Sequence, residues 1–308
     1  MLAVIDGAGL DDLVPVAAAI DALRCAARAG APTIGGPARM STPVRAGHLL
    51  LMPAEDRELV GVKVTGVAPA NPDRGLPRIT GAYLLLDAAT LQPLVAIDGA
   101  ALTLLRTAAL SALAVDELAT SDTRRVVVFG TGPQAAAHIR AVSTVRDVDR
   151  IAVAGRTPDA TTTFVRRWAD TVPVRPATED DVRTADLILC CTSSSVPLFD
   201  GRRLASHATV VAMGSHTLDA RELDTHTLRR SSVVVEDRDT AFREAGDVAA
   251  AIADGDITDV IPLADVLAGT PINRSLPRIF RSVGMAWEDL AVAGAALRAY
   301  RVRDEDRH

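Results

Sequence analysis

Val126-Val127-Val128-Phe129-Gly130-Thr131-Gly132-Pro133-Gln134-Ala135 decides how this chain folds. Its first four residues are wholly apolar, which suits a strand covered on both faces of a parallel sheet. Gly130-Thr131-Gly132 then makes a tight turn, and the spacing predicts a helix over Gln134–Val145. This is the GxGxxA arrangement in the context that gives it meaning. The first glycine allows the turn, the second lets backbone approach a pyrophosphate, and Ala135 lets helix and strand pack closely. The helix N-terminus presents amide N–H groups to the anion. Gly130, Thr131, Gly132, Pro133 and Gln134 are therefore candidate dinucleotide contacts.

Strand–turn–helix alternation continues downstream. Strands are predicted at Arg125–Phe129, Arg150–Ala154, Leu187–Cys191, Thr209–Met213 and Ser232–Val235, with a helix over Asp159–Thr171. The second strand ends in Gly155-Arg156-Thr157. NAD-specific sites carry an acidic residue at that point to hold the ribose 2′-hydroxyl. A guanidinium and a hydroxyl suit a 2′-phosphate instead, so NADP(H) is the expected cofactor, with NAD(H) possible. The serine run Ser193-Ser194-Ser195 has no nucleophile-elbow context. Thr192 and Ser193 after the third strand, and Met213 and Gly214 at the end of the fourth, are expected to line the cofactor.

Upstream the rhythm differs. Residues 12–29 carry apolar side chains at helical spacing. His48–Met52, Gly61–Val67, Gly81–Asp87 and Pro93–Ile97 are short β-rich runs separated by Pro, Gly, Asn and Asp, and read as an antiparallel sheet. A long apolar helix is predicted over Thr103–Thr120. A last helix over Trp287–Arg301 is expected to pack back onto this first part.

One residue stands out there. Of the 33 basic residues a single one, Lys63, is lysine. Where arginine has replaced lysine wherever charge alone suffices, the survivor is a candidate for proton transfer, since arginine cannot release its proton near neutrality. Lys63 also falls in the alternating run Leu59–Thr65, where a buried unpaired lysine would be rare.

The bulk composition excludes several classes. The net charge of -6 is spread without a basic block, and aromatic residues are 3%, so no nucleic-acid surface is expected. The three cysteines, Cys25, Cys190 and Cys191, lack CxxC spacing, and the six histidines lack paired metal spacing, so no metal site is predicted. No basic, apolar leader is evident, and no uninterrupted apolar run reaches spanning length. A reduced, cytoplasmic protein with no membrane partner is expected.

Several motifs in order resemble the ornithine cyclodeaminase/mu-crystallin family over nearly the full length. They are Leu51-Met52-Pro53-Ala54, Gly61-Val62-Lys63-Val64, Leu102–Ala109, the glycine turn, Ala185-Asp186 through Thr192-Ser193, Arg221-Glu222-Leu223-Asp224 and Ser282–Leu290. The resemblance implies an α/β protein: a Rossmann-type parallel sheet domain, residues 121–287, plus a second α+β substrate and dimerisation domain, residues 1–120 and 288–308. It implies a homodimer and a small amino or imino acid substrate whose carboxylate meets Arg39, Lys63 and Arg106. Arg45 competes with Arg39 for that role. Paired guanidinium groups clamp a carboxylate well, and a lysine can move a proton.

The departures narrow the activity. The cyclodeaminases carry an aspartate in the loop after the fourth Rossmann strand, where this chain aligns His216 within Gly214-Ser215-His216-Thr217. A substrate-contacting glutamate expected upstream of the Met-Pro pair is Leu50. The preferred expectation is an NAD(P)H-dependent reductase of a cyclic ketimine such as pyrroline-2-carboxylate or piperideine-2-carboxylate. Lys63 would be the catalytic group and His216 a candidate proton shuttle. The alternatives are ornithine cyclodeaminase, an amino-acid dehydrogenase or N-substituted amino acid synthase, and a non-catalytic dinucleotide-binding protein.

Overall fold

Period-two and helical patterns divide the chain as follows in the computed structural model, which describes residues 2–31, 39–168, 172–214 and 217–305. First come β1 (Ala3–Ile5), α1 (Gly7–Leu13), α2 (Val16–Arg28), β2 (Met40–Val44) and β3 (Gly47–Glu55). Then follow β4 (Leu59–Val67), β5 (Ile79–Asp87), β6 (Pro93–Asp98) and α3 (Gly99–Leu118). The parallel part holds β7 (Arg125–Phe129), α4 (Pro133–Val142), β8 (Arg150–Ala154), α5 (Pro158–Arg166), β9 (Val174–Pro176), α6 (Asp181–Thr184) and β10 (Leu187–Cys190). It continues through β11 (Thr209–Ala212), α7 (Thr225–Arg229), β12 (Ser232–Val235), α8 (Arg238–Glu244), α9 (Gly246–Ala253), β13 (Ile261–Pro262), α10 (Leu263–Leu267) and β14 (Arg278–Arg281). The chain ends in α11 (Ala286–Glu305). Two units result, Met1–Ala109 with Met285–His308, and Leu110–Gly284, so the division falls inside α3.

In the first unit a six-stranded sheet runs β1-β6-β5-β4-β3-β2. The four strands read from sequence are antiparallel neighbours, as expected. Two further strands were not legible. β1 lies parallel to β6, which makes the sheet mixed rather than purely antiparallel. β2 forms a hairpin with β3, is exposed throughout and holds Pro43, which an edge strand tolerates. α2 buries Ala19, Ile20, Leu23 and Ala27, one stripe at helical spacing. Burying a leucine such as Leu23 contributes about 1.5–3 kcal/mol. α11 packs against α2, β3 and β4, so the C-terminal helix belongs with this unit.

In the second unit eight parallel strands run β13-β12-β14-β11-β10-β7-β8-β9. Order reverses between β7 and β10, the topological switch point where Rossmann sheets take their ligand. β14 separates β11 from β12, a strand that the sequence conceals because arginine stands at both ends. Both guanidinium groups are buried. That of Arg278 donates to the carbonyl of Leu118 at 3.2 Å and to that of His207 at 2.5 Å, while that of Arg281 meets Asp247 at 2.7 Å. α3 satisfies the length and mean hydropathy of a bilayer span, but 72% of its most apolar window is buried inside the fold, as in a core helix.

Candidate active site

Strand alternation sends Leu59, Gly61 and Lys63 to the covered face of the first sheet. Lys63, only 3% exposed, stands between Met52 of β3 and Tyr83 of β5. Gly61 makes the room, since a Cβ there would lie 2.0 Å from the Tyr83 hydroxyl. The Lys63 ammonium donates to the Thr103 hydroxyl of α3 at 3.3 Å. That hydroxyl donates its own hydrogen to the Gly99 carbonyl at 2.7 Å, which leaves its lone pairs for the lysine.

Four charges meet here. Lys63 Nζ lies 2.8 Å from Asp289 Oδ2, and Arg106 lies 2.5 Å from Glu288 and 3.3 Å from Asp289. Glu288 also accepts from the Met285 backbone N–H at 2.8 Å, which fixes the first turn of α11. Burial lowers the lysine pKa to about 8, helped by neighbouring Arg106 and opposed by Asp289. The cluster thus offers a buried lysine able to give up a proton near neutral pH beside a guanidinium.

Lys63 and Arg106 are brought together, linked through Asp289. Arg39 is half-buried immediately ahead of β2, whereas its competitor Arg45 is exposed in the β2–β3 turn. Leu50 is half-buried on β3 opposite Thr65. His216 lies outside the described residues. In the sequence Glu288 and Asp289 are two residues of the Ser282–Leu290 motif with no role of their own. Acidic residues in a helix's first turn usually complement the helix dipole, which hides a second role.

In the second unit, Gly130 has φ +117°, and a Cβ there would meet the Cys191 carbonyl at 2.4 Å. Only glycine fits. At Gly132 a Cβ would meet nothing within 4 Å, so open space adjoins the turn. Gly132 caps α4 without a side chain, Pro133 takes the first turn, and Gln134 Oε1 is buried without a hydrogen-bond partner. Ala135 is fully buried, as close packing of α4 requires. Open space and a helix N-terminus capped by no side chain fit a bound pyrophosphate. A cleft of about 370 Å³ adjoins the carboxyl ends of β7 and β8, lined in part by Phe129, Ala154, Thr178, Leu198 and Phe199.

Gly155 packs against Thr161 and Thr131, and Thr157 caps α5 by accepting from the Ala160 N–H at 3.2 Å. The Thr157 hydroxyl therefore has a structural task, while Arg156 beside it is exposed. Thr192 and Gly214 are both held by Glu222, a fully buried acid that the sequence reading left without a role. Ser193 is exposed, and Met213 donates its N–H to the Cys190 carbonyl at 3.3 Å. Among the described residues no group of three His, Cys, Asp or Glu side chains is arranged to hold a metal.

Known proteins share this architecture. The sequence profile of the ornithine cyclodeaminase/mu-crystallin family matches residues 11–299. The chain is 37% identical over 274 residues to the Delta(1)-pyrroline-2-carboxylate/Delta(1)-piperideine-2-carboxylate reductase of Azospirillum brasilense, covering 88% of this chain and 86% of that protein. Among solved structures it resembles Thermococcus litoralis Delta(1)-pyrroline-2-carboxylate reductase, determined with NADH and L-proline, with a TM-score of 0.89 and 27% identity over 99% of this chain and 98% of that one. It also resembles an archaeal alanine dehydrogenase dimer with bound NAD, with a TM-score of 0.91 and 26% identity over 98% and 97%.

Proposed function

The chain belongs to the ornithine cyclodeaminase/mu-crystallin family, and from that premise we propose that it reduces small cyclic imino acids with NAD(P)H. Pyrroline-2-carboxylate and piperideine-2-carboxylate are the intended substrates. The observation that carries this reading is Lys63, a buried lysine that releases its proton at about pH 8 and stands among Asp289, Arg106 and Thr103. The reductases from Azospirillum and Thermococcus named above support it.

The dinucleotide, when bound, supplies a hydride for the imine carbon. Gly130, Thr131, Gly132, Pro133 and Gln134 would hold its pyrophosphate, with Thr192, Ser193, Met213 and Gly214 beside it. Arg106 and Arg39 bind the substrate carboxylate. Lys63, charged below about pH 8, keeps the imine nitrogen protonated, so that the C=N carbon is electrophilic and the product leaves as an amine. We assign the role of auxiliary proton carrier to His216. Arg156, exposed at the end of β8 with glycine and threonine about it, supports NADPH as the preferred donor. NADH remains the second donor, the one bound to the Thermococcus enzyme. We further assign a homodimer, and a reducing, cytoplasmic setting that suits three free cysteines.

Loss of reduced-nicotinamide absorbance is the test, with each imino acid and each donor. Oxidation faster with NADPH than NADH, and lost by at least about a hundredfold in Lys63→Ala, is expected. Ammonia released from ornithine without net NADPH oxidation would replace this reading with the cyclodeaminase. Turnover of an open-chain oxo acid with ammonia, but of neither ketimine, would favour the dehydrogenase that the alanine dehydrogenase fold also accommodates.

A further inference from the structure

Glu222 stands between β11 and α7, fully buried, and the reductase chemistry leaves it unused. Its Oε1 accepts from the Thr192 backbone N–H at 2.9 Å and from the Thr192 hydroxyl at 2.7 Å. Its Oε2 accepts from the Gly214 backbone N–H at 2.7 Å. Thr192 follows β10 and Gly214 follows β11, neighbouring parallel strands whose carboxyl ends form the ligand edge of a Rossmann sheet. A Cβ on Gly214 would lie 1.5 Å from the Thr192 carbonyl oxygen, so the two loops touch backbone to backbone. One carboxylate thus satisfies three donors and pins two loops. An amide would present its NH2 group to the Gly214 or Thr192 N–H, and protonation would weaken charge-assisted hydrogen bonds to neutral ones.

We propose that Glu222 is a positioning residue for the dinucleotide: its ionised carboxylate fixes the Thr192 and Gly214 loops, and dinucleotide affinity falls when it takes up a proton. The proposal rests on the dinucleotide reading given above. The charged and titratable groups around Glu222 are Arg281 of β14, Asp247 of α9, and Cys190 and Cys191 at the end of β10. Arg281 is already engaged by Asp247. Burial pushes Glu222 up to about 7, against the pull of Arg281 and its hydrogen bonds. The sign for folding is opposite to the sign for binding. The folded chain takes this proton more readily than the unfolded chain, so acidification through about pH 7 relieves the cost of a buried charge and stabilises the fold. The same protonation loosens the loops.

Titrating NADH by its fluorescence on either side of pH 7 tests this, with wild type and Glu222→Gln compared. Wild-type affinity is expected to drop about tenfold as pH falls through this interval, the loss that one charge-assisted hydrogen bond represents. Glu222→Gln is expected to be about tenfold weaker above it and flat across it. Wild-type affinity and pH dependence in Glu222→Gln would overturn the proposal and leave the dinucleotide reading intact. If that variant does not fold, a wild-type affinity that is constant across the interval overturns it. A wild type that binds neither NADH nor NADPH at any of these pH values overturns the dinucleotide reading and this proposal together.

Discussion

Lys63 combines an ordinary side chain with an unusual setting. Removed from water it loses hydration that Asp289, at 2.8 Å, only partly restores, and its pKa comes down to about 8. Because the folded value lies below the unfolded one, the protonated lysine costs stability. That cost is complete below about pH 8 and vanishes above the ordinary lysine value of 10.5. Under the mechanism proposed above activity has the opposite sign, since there the charged form protonates the imine. Ketimine reduction should therefore decline as pH rises through about 8. In Asp289→Asn the lysine loses its strongest stabilising neighbour, so the decline should begin at lower pH while saturating substrate still drives turnover at acid pH. An unmoved alkaline limb in that variant would show that Lys63 is not the titrating group. Lys63 could be found in the sequence because it is the lone lysine of an arginine-rich chain. Its partners could not, because Glu288 and Asp289 look like any acidic first turn.

Helices, strands and turns carry the next level, and two glycines in similar-looking turns and strands have different tasks. Gly61 of β4 leaves room for the Tyr83 ring, and a Cβ there would fall within 2.8 Å of three ring or hydroxyl atoms. Gly132 faces open space. Gly61→Ala should consequently lower stability by about 1–3 kcal/mol, as overpacking does, seen as a reduced denaturation midpoint. Gly132→Ala should melt with the wild type yet bind NADH at least about tenfold more weakly, because its methyl group occupies the path of the pyrophosphate. Equal binding by Gly132→Ala would remove the glycine turn from the cofactor site. The same contrast explains which elements were legible. β7 and its turn were clear because apolar run, glycine spacing and helix all agree. β14 was not, because Arg278 and Arg281 read as surface residues until carbonyls and Asp247 are seen to satisfy them. β1 and β2 are short, and their pairing is set by partners far along the chain. His216 shows the limit of reading a site by motif, since its alignment names a position without placing its side chain.

At the scale of the molecule the first sheet has two faces of different character. Helix α11 packs on one, the face that holds Lys63 and Tyr83. The other follows from the register: Val62 opposes Leu84 and Pro53, Val64 opposes Leu51, and Val4 opposes Ala96. Val4 is 74% exposed and the rest are half-buried, so a continuous aliphatic surface crosses five strands. Monomeric proteins rarely leave so large an apolar face in water, and a pleated sheet of β-branched and leucine side chains suits packing against its own copy. This face supports the homodimer proposed above. Light scattering should give twice the chain mass of 32.3 kDa for the wild type. Val62→Asp places a charge at the centre of the aliphatic face, where burial against a second copy would cost several kcal/mol. It should run at the mass of one chain. NADH binding should survive in that variant, since the glycine turn belongs to the other unit, which separates a broken interface from a broken fold. A wild type of single-chain mass, or a Val62→Asp variant that keeps the doubled mass, would show that this face has some other cover.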